Sequence, residues 1–134
     1  MDELVRFLRA RLDEDEKRLW HMRKQVIDRP WSAFPYDAGG WRIGIPNGQD
    51  GFVVARGMEQ AAAEHIVVAA DPARVLRDIE AKRAIVNEYA EVASNDTDGA
   101  YEYAVGWANA LGTAARQLAS VYADHPEFQD AWRP

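Results

Sequence analysis

Imidazole can ligate a metal or carry a proton, and the sequence holds three: His21, His65 and His125. They lie far apart in the chain, so no local metal-binding spacing is present. A zinc or iron site built from nitrogen and oxygen ligands requires His65 and His125 to converge with carboxylates such as Asp71 or Asp124. The favoured reading is packing, because a lone histidine on an apolar helix face is usually a hydrogen-bonded core residue. No cofactor is expected. Cysteine is absent, which removes disulfides, thiolate metal sites and a cysteine nucleophile. There is no phosphate loop, no paired-histidine zinc-protease helix and no nucleophile elbow.

Aromatic residues carry the other chemistry. Five tryptophans, Trp20, Trp31, Trp41, Trp107 and Trp132, read as core or as lids over a small core, and an exposed pair marks a partner surface. Trp31 and Trp41 are candidates for such a surface, with the polar turn residues Asn47, Gln49 and Asp50 beside them in sequence.

The elements that position these residues are mainly helical. From residue 3 to 27, Leu4, Leu8, Leu12, Leu19, Met22 and Val26 form one apolar stripe at helical period, and Asp15 falls inside it. Residues 28–40 carry Pro30, Pro35, Gly39 and Gly40 and read as a loop pinned by Trp31, Phe34 and Tyr36. Trp41, Ile43 and Ile45 alternate with Arg42 and Gly44 before the turn Pro46 to Gly51, so residues 41–56 predict a β-hairpin. Gly57 ends it.

A short Ala-rich helix is expected over 58–70, with Met58, Ala62, Ile66 and Ala69 inward and His65 on the same face. Asp71-Pro72 then starts a new helix over 71–93, because Asp caps free amides and Pro loses no bond in the first turn. Lys82 lies in that helix's apolar stripe and Arg83 at its margin, which predicts that one of them meets Asp15. A further helix over 100–122 is expected to turn Ala104, Trp107, Ala108, Leu111, Ala115, Leu118 and Tyr122 inward. A short terminal segment, 126–132, follows His125.

The chain has 134 residues, 48% of them hydrophobic, which suits one domain with a real core. Sixteen basic and 22 acidic residues give a formal charge of −6 with interspersed signs. That pattern argues against a basic nucleic-acid groove and against a nucleic-acid mimic. The N-terminal residues are charged from Asp2 onward, and no run approaches the ~20 apolar residues of a membrane span. A cytoplasmic location without nucleic-acid or membrane partners is expected.

The run His65-Ile66, Asp71-Pro72-Ala73-Arg74-Val75-Leu76 and Glu80-Ala81-Lys82-Arg83 resembles domain-of-unknown-function family 6221, small proteins of actinobacteria and their phages. Leu4 to Asp15 looks like that family's opening helix. Tyr122 to Phe128 with Trp132 looks like its closing segment. The resemblance implies bacterial or phage origin and no particular chemistry. The expected fold is a mainly α, three- to four-helix bundle with an inserted β-hairpin. The first functional reading is a non-enzymatic interaction module that binds a host or phage protein, or itself. The alternative is a small metal-dependent or hydrolytic enzyme using His65 and His125.

Overall fold

A computed structural model describes residues 2–22, 29–35, 39–45, 52–95 and 102–134, the side chain of residue 52 excepted. The protein is mainly helical with a three-stranded antiparallel sheet. In chain order the elements are α1 (Glu3–Trp20), β1 (Ser32–Pro35), β2 (Trp41–Ile45), β3 (Phe52–Met58), α2 (Gln60–Ala70), α3 (Pro72–Ser94), α4 (Glu102–Ser120) and a 3-10 turn (Asp130–Trp132). The residues group into two compact units, 16–78 and 1–15 with 79–134, and the divisions fall within α1 and α3.

In the unit of residues 16–78, the segment expected to be a loop contains a strand. Ser32 to Pro35 pairs antiparallel with β2, Ala33 opposite Ile43 and Pro35 opposite Trp41. The prolines disguised it in sequence; an edge strand tolerates Pro because the missing N–H need not face a neighbour. The predicted hairpin is the β2–β3 pair, and it runs beyond residue 56. Trp41 pairs with Met58 and Arg42 with Arg56, so Gly57 is an extra residue at a bulge. Its φ of +81° is the left-handed backbone that glycine supplies at such bulges. With Met58 used in β3, the following helix starts at Gln60 rather than residue 58.

α2 packs on β1 and β2. The core here is Trp31, Ile43, Ile45 and Ala63, with Ala33, Trp41, Met58, Val67 and Ala70 packed against it. The inward face of α2 is therefore Ala63, Val67 and Ala70, not the face holding Ala62, Ile66 and Ala69. Gln60 to Ala70 is apolar on nearly every side, so its period could not select a face. At about 100° per residue, His65 projects opposite Ala63, and it is exposed. Asp71 caps α3 as expected: its Oδ1 accepts the Ala73 and Arg74 N–H groups at 3.1 and 3.2 Å.

In the unit of residues 1–15 and 79–134, the buried apolar residues include Leu4, Val5, Phe7, Leu8 and Leu12 of α1, Ile79 and Val86 of α3, Ala115 and Ala119 of α4, and Trp132. Asp2 caps α1, its Oδ1 accepting the Leu4 N–H at 2.8 Å. Arg9 donates to Asn87 at 2.8 Å and Arg83 to Asp13 at 2.7 Å. Those pairs, each four residues apart on its helix, set α1 and α3 antiparallel in this stretch. α4 approaches α3 closely at Gly112, where an added Cβ would lie 3.3 Å from the Tyr89 ring. The α-helix of α1 ends at Trp20, seven residues before the expected end at residue 27; residues 23–28 lie outside the described residues. α4 ends at Ser120, and Tyr122 donates its N–H three residues back to Ala119 at 2.9 Å, a tighter closing turn.

Candidate functional site

Of the residues named for a metal site, Asp71 and His125 have other tasks. Asp71 uses its second oxygen as well as its first, Oδ2 accepting the Trp31 backbone N–H at 3.1 Å. His65 is exposed on α2 in one unit, whereas Asp124 and His125 belong to the other. Among the described residues, no group of three or more histidine and carboxylate side chains is arranged to hold a metal ion.

His125 sits half-buried beside α1. Its ring meets the Phe7 ring edge-on at 5.7 Å between centroids. Its Nδ1 accepts the Glu127 backbone N–H at 3.2 Å and lies 2.6 Å from Arg11 Nη1; the same guanidinium nitrogen also contacts Nε2. Arg11 is only 6% exposed. It donates to Glu14 at 2.8 Å and to Glu127 at 3.3 Å, and its charge lies 5.3 Å from the centre of the Phe7 ring. A buried cation needs such compensation. Phe7 also meets Tyr122, Phe128 and Trp132 at 4.9–6.2 Å. The cluster fastens the closing segment to α1, which is a structural use of His125.

Two further polar contacts resolve oddities of the sequence. Asp15 accepts the Tyr122 hydroxyl at 2.6 Å, and Arg83 pairs with Asp13 at 2.7 Å. Tyr89 donates to Asp2 at 2.7 Å. Burial pushes its phenol above the ordinary 10.0, the hydrogen bond and negative charge of Asp2 add to the rise, and Arg116 opposes it.

The expected aromatic surface lies elsewhere. Trp31 is 7% exposed and belongs to the core around the sheet, and Trp41 packs against that core. Asn47, Gln49 and Asp50 lie outside the described residues. Trp107, expected inward, is 44% exposed, and its neighbour one helical turn earlier, Tyr103, is 74% exposed. The buried seam of α4 is instead Gly112, Ala115 and Ala119. Tyr103 and Trp107 meet edge-to-face at 5.9 Å and 69°. With Gly106, Ala110 and Leu111 they line an open groove of about 450 Å³. From Tyr103 to Ala115 no residue is charged, and α4 has more apolar surface than its seam covers. That uncharged run is the signal in the sequence that marks this face.

What fold and groove define is a mainly helical protein whose described surface offers an apolar, aromatic helix face rather than a cluster of reactive groups. The chain belongs to the family of unknown function DUF6221, whose sequence model matches residues 1–134. No curated protein and no solved structure matches the chain. None of the described helices is long and apolar enough to cross a membrane.

Proposed function

We propose that this protein is a non-enzymatic protein-interaction module and that α4 supplies the contact face. The observation that carries this reading is the exposed pair Tyr103 and Trp107 flanking Gly106 and Ala110 in an uncharged groove. Exposing large aromatic rings forgoes the stabilisation that burial gives, and a tyrosine beside a tryptophan is the composition of an interface anchor. In the actinobacterial or phage setting implied by the sequence resemblance, the partner is a host or phage protein or a second copy, met in the cytoplasm.

The test is affinity capture from an actinobacterial lysate with three baits: the parent chain, Trp107→Glu, and Val121→Glu as a control at another exposed apolar position of the same unit (68% exposed). A protein captured by the parent and the control but lost with Trp107→Glu supports the reading. Equal capture by all three baits moves the interface away from α4.

A further inference from the structure

We infer that the occupant of the α4 groove is a second copy of this chain, the two α4 helices packing antiparallel about a two-fold axis near Gly106. This rests on the reading of α4 as a protein-binding face and names its partner. Tyr103, Gly106, Trp107, Ala110 and Leu111 follow one another at spacings of three and one, so they share one helix face. On that face large rings alternate with Gly106 and Ala110. Knobs and holes on a single face are self-complementary, which is the condition for a closed two-fold interface.

Gly106 supplies an independent reason. It has no positive φ to require glycine, and an added Cβ would meet nothing within 4 Å. Gly112 on the same helix is different, since the Tyr89 ring fills the space a Cβ would take. A glycine inside a helix costs stability relative to alanine, and nothing described within the chain accounts for it at 106. A second backbone drawn close at that point does.

Charge is consistent with the same occupant. Each copy carries a formal −6, and two such copies oppose each other least where they meet on a face that presents no charge. The exposed faces of α1, α2 and α3 bear groups such as Arg6, Glu64 and Glu88, and burying those against an uncharged groove would strip their solvation without a partner. The α4 face of another copy is apolar, uncharged and of matching relief.

The experiment is sedimentation equilibrium on the full chain over a concentration series, for the parent, Gly106→Ala and Trp107→Ala. The expected result is a reversible parent dimer, with self-association weakened about tenfold or more in both variants. In dilute solution, where monomer dominates, Gly106→Ala should melt higher than the parent even as its dimer weakens. That opposition separates an interface role from a folding defect. A parent that stays monomeric at every concentration, or a dimer that both variants leave unchanged, overturns the inference. If the parent is monomeric while Trp107→Glu still loses a captured protein, the second copy is excluded and the binding face itself stands.

Discussion

Asp71 serves two segments at once: Oδ1 caps α3 through the Ala73 and Arg74 N–H groups, and Oδ2 accepts the backbone N–H of Trp31 at 3.1 Å. The cap therefore also fixes the chain at Trp31, which precedes β1 and is part of the sheet core. Asp71→Ala loses both functions, the cap and the bond from the partly buried Trp31 N–H. Its cost should be about 2 kcal/mol by urea denaturation. Asp71→Asn keeps one acceptor oxygen and should recover roughly half of that. An alanine variant as stable as the parent would show that the Trp31 contact adds nothing.

The Arg11 cluster makes a second prediction. Arg11 contributes a buried apolar stem as well as a guanidinium that lies over the Phe7 ring and is held by Glu14, Glu127 and His125. Arg11→Ala removes both and should cost ~2 kcal/mol. Arg11→Met restores the stem alone and should fall between the two, because Glu14 and Glu127 are exposed enough to stay solvated without their cation. If Met exceeds the parent in stability, desolvation of the guanidinium outweighs its contacts.

The Tyr89 phenol gives a pH dependence of known sign. Its folded-state pKa is raised, mainly by burial and then by Asp2, so the folded chain holds the proton at pH values where the unfolded chain has released it. The stabilisation is complete below the ordinary value of 10.0 and is lost as pH rises through the raised folded value. Denaturation midpoints of the parent should thus fall more steeply than those of Tyr89→Phe as pH rises from 10.0 through the raised folded value. Parallel profiles would contradict the burial and the Asp2 contact.

Local chemistry was legible in the sequence, as was the inward face of α1 with Leu4, Leu8, Leu12 and Leu19, but the faces of α2 and α4 were not. Asp71-Pro72 could be read directly because capping involves neighbours in the chain, and β2 and β3 because they alternate around polar turn residues. β1 could not, since only pairing with β2 makes a strand of a segment containing Pro35. Trp107 fits a helical stripe with Leu111 and Leu118, but the close approach of Gly112 to Tyr89 rotates α4 so that Ala115 and Ala119 are buried instead. For the same reason Asp15 stood out as an anomaly while the Tyr122 hydroxyl that donates to it, beyond the end of α4, did not. That rotation exposes Trp107 beside Tyr103, whereas Trp31 and Trp41 are taken up by the core around the sheet.

The most direct measurement is hydroxyl-radical footprinting read by mass spectrometry at Trp107 and Trp20, two tryptophans exposed in the isolated chain at 44% and 59%. It should compare dilute protein with the complex that capture or self-association yields. Oxidation of Trp107 should drop several-fold on complex formation while that of Trp20 stays constant, as expected when an interface anchor is desolvated. Undiminished oxidation of Trp107 in a formed complex would contradict the assignment of α4 as the contact face.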